Sequence, residues 1–135
     1  MTEKNTEFNF WNDHSRAFLA AAYDYERHGE MEDADCVADQ TGDCGDSVKI
    51  YLKLDGEKIA RVQFEVKGCR NTNACCNALA GLAEGRSVED AWKITPDAVA
   101  DALETLPADN FHCAELCVGC FYHALGGEEN KGNIE

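Results

Sequence analysis

The stretch SVKIYLKLDGEKIARVQFEVKGC, residues 47–69, decides the fold of this chain because it holds two runs that alternate between apolar and polar residues. The apolar positions of the first run are Val48, Ile50, Leu52 and Leu54. Those of the second run are Ala60, Val62, Phe64 and Val66. A period of two is typical of strands with one buried face. With Asp-Gly-Glu between the runs, the stretch predicts a β-hairpin.

The length of the hairpin loop can be tested against the buried face. A two-residue turn at Asp55-Gly56 would place Ile50 opposite Arg61 and mix the two faces, so that turn is excluded. A five-residue loop preserves the faces. So does a three-residue loop, which pairs apolar residues with one another: Leu52 with Ala60, Ile50 with Val62 and Val48 with Phe64. Both of these registers remain open.

Residues with metal-binding side chains flank the open end of this hairpin. Cys44 and Asp46 precede the first strand, and Cys69 follows the second. Extending either register places Cys44 opposite Gly68 or Arg70, so the hairpin brings Cys44, Asp46 and Cys69 together. Thiolates are soft ligands that suit iron–sulfur clusters and zinc.

The residues before the hairpin predict one helix and one irregular segment. Trp11, Phe18, Ala22 and Tyr25 recur at helical spacing, which predicts an amphipathic helix over 11–28 that Gly29 ends. Residues 30–43 are acidic and aperiodic, and we expect an extended or mobile lead-in there. Cys36 lies alone in this segment and is interpreted as an incidental or flexible thiol. Residues 1–9 are polar and are expected to be flexible.

The residues after the hairpin predict a series of helices. Residues 70–84 predict one helix closed by Gly85, and Ser87 with Asp90 resembles a capping box for a short helix to 93. Thr95-Pro96 provides the N-cap and first position of a helix to 105. Asp109 or Asn110 can cap a last helix to 125, and the polar tail 126–135 is expected to be flexible.

These elements predict a single domain over 1–135 of the α+β class. We expect a small antiparallel sheet of two long strands, with room for a third, packed against helices. The metal-binding side chains would then lie at one end of the sheet, at its rim.

Composition excludes several function classes. The 135 residues carry a net charge of −14, which argues against a nucleic-acid partner because phosphate binding needs a basic surface. The first residues do not resemble a signal peptide, and no apolar run approaches the roughly 20 residues of a membrane span. In such a chain the eight cysteines favour metal or redox chemistry in the reducing cytoplasm over a disulfide framework.

A second thiol motif, NFHCAELCVGCF at 110–121, places His112 next to Cys113 at the start of the last predicted helix. Four segments share their order and approximate spacing with one known family: DCGDSVKIYLKL at 43–54, VQFEVKGC at 62–69, EGRSVEDAWKI at 84–94 and LPADNFHC at 106–113. Through these segments the chain resembles the IscU/NifU-type iron–sulfur cluster assembly scaffolds, and in particular the NifU N-terminal domain. The resemblance covers about 41–125, and the order of its motifs is specific to that family.

The resemblance implies a carrier rather than an enzyme. Such scaffolds accept sulfur from a cysteine desulfurase, bind iron, build a transient [2Fe-2S] cluster and pass it to apo-proteins. The cluster ligands of the family fall on Cys44, Asp46, Cys69, His112 and Cys113, and the sulfur acceptor falls on Cys113. Whether the cluster bridges two chains of a homodimer stays open. The same ligands suit zinc, which purified protein could carry.

Two consequences follow for Cys113 and for partners. A thiol at a helix N-terminus should have a depressed pKa, which favours the nucleophilic thiolate. The family commonly has a Pro-Pro-x-Lys-type segment before His-Cys that a dedicated chaperone recognises. Here residues 106–110 read Leu-Pro-Ala-Asp-Asn, with Asn110 in the place of the lysine, so the involvement of a chaperone stays open.

The surplus thiols admit two interpretations. Cys113, Cys117 and Cys120 share one helix face, and Cys75 and Cys76 lie on the helix that follows Cys69. They could be a second thiol set, acting as a sulfur relay or as alternative cluster ligands. The favoured interpretation is core packing, since a free cysteine behaves as a small buried hydrophobe.

Two rival functions use the same residues. The first is a zinc-binding protein, because Cys, Asp and His all suit tetrahedral Zn²⁺. The second is a thiol-based sulfur-transfer accessory that depends on Cys113 and does not need Cys44 or Asp46.

Overall fold

The computed structural model describes residues 16–42, 45–106 and 110–130. Within these ranges, three strands form one antiparallel sheet in the order β1-β2-β3: β1 Cys36–Thr41, β2 Ser47–Asp55 and β3 Lys58–Lys67. The same ranges contain five helices: α1 Arg16–Ala22, α2 Arg70–Ala83, α3 Val88–Ala91, α4 Pro96–Leu103 and α5 Phe111–Asn130. The predicted α+β class is confirmed, and the third strand that the sequence left open is present.

The hairpin has the register of the longer predicted loop but a shorter turn. Ile50 pairs with Phe64 and Asp55 pairs with Lys58, so the turn is Gly56-Glu57, with a left-handed φ of 64° at Gly56. A two-residue turn alone would mix the faces. The register shift beside Lys53/Leu54 restores them, because β3 has one extra residue there, as in a β-bulge. That residue is Ala60, which is exposed, so its predicted place on the buried face was wrong.

The acidic segment that we expected to be an extended or mobile lead-in contains β1. Its residues pair with β2 from Cys36↔Leu52 to Thr41↔Ser47. Cys36 is 5% exposed and belongs to the core cluster, so the alternative of a flexible thiol was wrong. The strand escaped prediction because small or polar side chains, such as those of Ala38 and Gln40, occupy its inward positions, and these give no apolar alternation.

The first helix is shorter than predicted. Phe18 and Ala22 are buried, but α1 ends at Ala22 and Tyr25 is 57% exposed. The buried amides of Asn73 and Asn77 in α2 donate hydrogen bonds to the carbonyl oxygens of residues 21, 22 and 24, at 2.7–3.4 Å. These amides satisfy carbonyl groups that a helix end leaves without partners. Trp11 and residues 1–9 lie outside the described residues.

The connecting helices follow their predicted caps. The side chain of Ser87 accepts a hydrogen bond from the Asp90 amide, and that of Thr95 accepts one from the Ala98 amide. Pro96 is the first residue of α4. The last helix, α5, continues to Asn130, so the predicted end at 125 was wrong.

The core lies between the sheet and the helices. α5 packs on β1 and β2, and α2 packs on β3, α1 and α5. Ile50, Leu52 and Phe64 of the sheet are at most 1% exposed and meet Leu79 of α2 and Phe121 of α5 in one cluster. β2, α2 and α5 begin at one rim of the molecule, and β3 ends at the same rim. Within the residues described above, no helix is long and apolar enough to cross a membrane.

Candidate metal and thiol site

Asp46 and Cys69 meet where the hairpin opens. The last pair of the β2–β3 ladder is Ser47↔Lys67, so Asp46 lies beside Gly68, and Cys69 follows as the N-cap residue of α2. The Sγ atom of Cys69 lies 3.8 Å from Oδ2 of Asp46. A Cβ atom on Gly68 would lie 2.5 Å from Cγ of Asp46, so this close approach needs glycine.

Cys113 completes a group of three ligand atoms. It lies in the first turn of α5, and its side chain is fully buried. One ligand atom from each of Asp46, Cys69 and Cys113 lies within 4.8 Å of the other two. Two sulfur atoms and a carboxylate oxygen at this separation could bind one metal ion or part of a cluster after small rotations of the side chains.

Of the other two predicted ligands, His112 and Cys44, the structure describes only His112. His112 is exposed and is not a member of the group of three, although its Nε2 lies 3.7 Å from the Sγ of Cys113. Cys44 lies outside the described residues. The predicted set of five ligands therefore stays a prediction, with three of its members adjacent and His112 next to one of them.

Thr72 belongs to the site and was not singled out from the sequence. Its side chain is fully buried in the first turn of α2. Its hydroxyl donates a hydrogen bond of 2.7 Å to Oδ2 of Asp46 and lies 3.7 Å from the Sγ of Cys69. Its spacing from Cys69 could have identified Thr72 from the sequence, because a residue three positions after the N-cap residue of a helix faces back toward that residue. Thr72 thus fixes the carboxylate of Asp46 between the two thiols.

Burial governs the acidity of the Cys113 thiol. Desolvation raises its pKa to about 11, because a thiolate loses hydration in the protein interior. The Thr72 hydroxyl and the Asn110 side chain lower the pKa, whereas the neighbouring Cys69 thiol raises it. The expected depressed pKa was wrong, since burial outweighs the favourable position at the helix N-terminus. The Cys113 thiol is therefore protonated near neutral pH when no cation is bound.

A second group of thiols lies beneath the site. No disulfide joins the seven described cysteines to one another, and every one except Cys69 is buried: Cys36, Cys75, Cys76, Cys113, Cys117 and Cys120. The Sγ atoms of Cys76 and Cys117 are 3.0 Å apart. Among the described residues, these deeper thiols do not join any group of three ligand atoms within 4.8 Å. This geometry does not support the alternative interpretation of these thiols as cluster ligands, and their burial agrees with the favoured interpretation of core packing.

The sequence model of the NifU-like N terminal domain family matches residues 17–131. The match includes every residue of the group of three and both thiols of the Cys76/Cys117 contact.

Curated relatives agree with this match. An iron–sulfur cluster assembly scaffold protein IscU from Archaeoglobus fulgidus is 37% identical over 98 residues, which covers 72% of this chain and 64% of the relative. A nitrogen fixation protein NifU from Trichormus azollae is 30% identical over 113 residues, covering 77% of this chain and 38% of the relative. The chain thus spans less than two thirds of the length of these relatives.

Solved structures share the fold. The N-terminal part of a nitrogen-fixing NifU-like protein from Brucella abortus superposes with a TM-score of 0.74 at 19% identity, covering 91% of this chain and 99% of the other. A putative iron–sulfur cluster assembly scaffold protein for the SUF system from Fervidobacterium islandicum superposes with a TM-score of 0.70 at 22% identity, covering 84% of this chain and 97% of the other.

Proposed function

The chain belongs to the family of NifU-like N-terminal domains, and from this premise we propose that it is a scaffold for iron–sulfur cluster assembly. It accepts sulfur from a cysteine desulfurase, binds iron, assembles a transient [2Fe-2S] cluster and transfers the cluster to apo-proteins. Iron and sulfide are its cargo rather than resident cofactors, so it acts as a carrier and not as an enzyme.

The observation that carries the proposal is the group of Asp46, Cys69 and Cys113, whose ligand atoms lie within 4.8 Å of one another. Thiolates bind iron–sulfur clusters, and a carboxylate is a harder ligand than a thiolate. A site with one carboxylate corner should release its cluster more readily than four thiolates would, which suits delivery. Cys44 enters the ligand set from its position two residues before Asp46, and His112 enters as a neighbour of Cys113.

Cys113 is the proposed sulfur acceptor. Its sulfur attacks the outer sulfur of a persulfide on the desulfurase, a new S–S bond forms, and the desulfurase cysteine leaves as a thiolate. The raised pKa of Cys113 makes this step slow in the empty site, because the thiolate is the nucleophile. Iron bound at Asp46 and Cys69 would place a cation beside Cys113 and favour its thiolate.

The setting and the partners follow from the same chemistry. The described cysteines form no disulfide with one another, which suits a reducing compartment, and we place the protein in the cytoplasm. Its partners are a cysteine desulfurase and apo iron–sulfur proteins. A chaperone and a cluster shared between two chains remain open alternatives.

Anaerobic assembly tests the proposal. Zinc-free protein is incubated with iron, cysteine and a catalytic amount of cysteine desulfurase, and the absorption spectrum is followed. We expect a [2Fe-2S] spectrum that moves to an apo-ferredoxin when the two are mixed. The spectrum should be lost in Cys44→Ala and retained in the matched variant Cys36→Ala, whose thiol lies on β1 away from the site.

Two results would replace this proposal. Persulfide on Cys113 that does not require Cys44, with no cluster, would make the chain a sulfur-transfer accessory. The donor set of Asp46, Cys69 and Cys113 also suits Zn²⁺. Tight zinc binding that iron and sulfide cannot displace would therefore make it a zinc-binding protein.

A further inference from the structure

Two buried thiols that the scaffold chemistry does not use are in contact. Cys76 of α2 and Cys117 of α5 are at most 1% exposed, and their Sγ atoms are 3.0 Å apart. A disulfide needs sulfur atoms about 2.05 Å apart, so closing this pair takes a movement of about 1 Å. The other deep thiol on α5 is placed differently, since Cys120 donates to the backbone oxygens of Ala38 and Val48 at 3.4 and 3.5 Å.

The pair lies directly behind the proposed sulfur acceptor. Cys117 follows Cys113 by four residues on α5, a spacing at which helical side chains are neighbours about 5–6 Å apart at Cβ. Helical side chains lean toward the N-terminus of their helix, which directs Cys117 toward the turn that holds Cys113. Cys117 also donates to the backbone oxygen of Thr72 at 3.7 Å, and the hydroxyl of Thr72 binds Asp46. The dithiol and the site therefore share one wall.

We propose that Cys76 and Cys117 form an internal dithiol that reduces a persulfide on Cys113 and releases its outer sulfur as sulfide. This inference rests on the proposed function, because it needs Cys113 to receive sulfur. It assigns the surplus thiols a chemical task, the two-electron reduction that converts sulfane sulfur into the sulfide that a cluster contains.

The reaction balances without an external reductant. Cys117 attacks the outer sulfur of the Cys113 persulfide, so the Cys113 thiol is restored and Cys117 carries the persulfide. Cys76 then attacks the Sγ of Cys117, the S–SH bond breaks, and hydrogen sulfide leaves. The sulfane sulfur gains two electrons, and the two cysteines lose them as they form a disulfide. Both thiol protons are retained, one on Cys113 and one on the sulfide.

Burial makes the dithiol selective for this substrate. The pair is closed to solvent, so the persulfide reaches it through Cys113, the neighbour at the site. Burial also raises the pKa values of both thiols, so each thiol passes its proton to the departing sulfur as it attacks, and the reduction is slower than an exchange between thiolates. Each chain releases one sulfide in this way, and an external dithiol must reopen the disulfide before a second release.

Mass spectrometry of the whole chain tests the inference. Reduced, metal-free protein is loaded anaerobically with ³⁵S from labelled cysteine and a catalytic amount of desulfurase. It is desalted into buffer without thiols, and intact mass and labelled sulfide are followed. We expect the mass of the Cys113 persulfide to decay to a chain lighter by two hydrogens than the reduced protein. One labelled sulfide should appear per chain, and peptide mapping should show a Cys76–Cys117 crosslink.

Variants locate the reductant. Cys117→Ser should retain the persulfide on Cys113 and slow sulfide release by about tenfold or more, because no thiol then completes the exchange. Cys76→Ser should stop at a persulfide on Cys117. Cys120→Ser is the matched control, with the same helix and the same burial, and should behave as the wild type.

The outcomes separate the two proposals. A stable persulfide on wild-type Cys113 beside free Cys76 and Cys117 would overturn the reduction alone, as would a crosslink between other cysteines. If Cys113 receives no sulfur either in the metal-free protein or with ferrous iron added, the proposed function fails and the reduction fails with it. The wild-type measurement decides the matter even if a buried variant does not fold.

Discussion

Gly68 is the most informative position for the geometry of the site. Its backbone does not have a left-handed φ, so alanine adopts it without strain. The added Cβ would nevertheless lie 2.5 Å from Cγ and 2.7 Å from Oδ2 of Asp46, distances that real contacts do not show. In Gly68→Ala we therefore expect the Asp46 side chain to rotate out of the site, away from Thr72 and Cys69.

The cost can be worked from the contacts that are lost. The hydrogen bond from Thr72 to the Asp46 carboxylate contributes about 1.5 kcal/mol, the low end for a charged acceptor, because Asp46 is partly exposed. Replacing glycine with alanine returns about 0.5 kcal/mol by restricting the unfolded chain. The net loss in free energy of unfolding is about 1 kcal/mol. Zinc affinity should fall by about tenfold or more, since one ligand leaves the group.

Two measurements on purified protein check this. Urea unfolding of the zinc-free chain gives the stability change, and competition with a zinc-binding dye gives the affinity. Gly81→Ala is the matched control, because Gly81 lies on the exposed side of α2 with nothing within 4 Å of an added Cβ. That change should stabilise the chain by about 1 kcal/mol and leave zinc affinity unchanged.

A double-mutant cycle isolates the steric cause. In Asp46→Ala protein the obstacle is gone, so adding Gly68→Ala should stabilise by about 0.5 kcal/mol and leave the already weakened zinc affinity unchanged. Wild-type zinc affinity in Gly68→Ala would refute the reasoning, because it would mean that Asp46 is not held against Gly68 in the metal site.

Three further predictions concern single groups. Thr72→Val keeps the shape of the side chain but removes the donor to Asp46, so the zinc-free chain should lose about 1.5 kcal/mol by urea unfolding; a loss below about 0.5 kcal/mol would contradict this. Alkylation of the metal-free Cys113 thiol should rise with pH along a curve centred near 11, and a midpoint below 9 would show that burial does not control it. Burial raises the pKa of Glu84, but hydrogen bonds from the Arg27 side chain and a backbone amide outweigh it, so the net pKa is lowered. The stability that Glu84 contributes is therefore present above pH 4.5 and lost as the pH falls through its folded pKa. In Glu84→Gln, the midpoint of urea unfolding should therefore fall less steeply than in the wild type as the pH is lowered.

Much of the fold was predictable because apolar and polar residues alternate clearly in β2 and β3, and the apolar residues form one buried face. Ile50 and Phe64 face the same core in the structure, as their spacing requires. The starts of α3 and α4 were also predictable, because Ser87 and Thr95 cap these helices through hydrogen bonds to residues nearby in the sequence. The IscU/NifU-type resemblance is confirmed by the family match over 17–131.

What escaped prediction depends on contacts distant in sequence. The end of α1 is set by amides of Asn73 and Asn77, about 50 residues away. Strand β1 is held by pairing with β2, not by any pattern of its own. The acidity of Cys113 was misjudged because a helix start is visible in the sequence, whereas the burial that raises the pKa is not. Contact between Cys76 and Cys117 likewise exists only after α2 and α5 pack.

The central claim is that this chain assembles a cluster on the Asp46, Cys69 and Cys113 group. Mössbauer spectroscopy of protein assembled with ⁵⁷Fe, cysteine and desulfurase tests it most directly, with Cys69→Ala and the buried-thiol control Cys36→Ala alongside. The account predicts a [2Fe-2S] spectrum in the wild type and in Cys36→Ala, and its loss in Cys69→Ala. A cluster of equal yield in Cys69→Ala would contradict the account, because the cluster would then be held elsewhere.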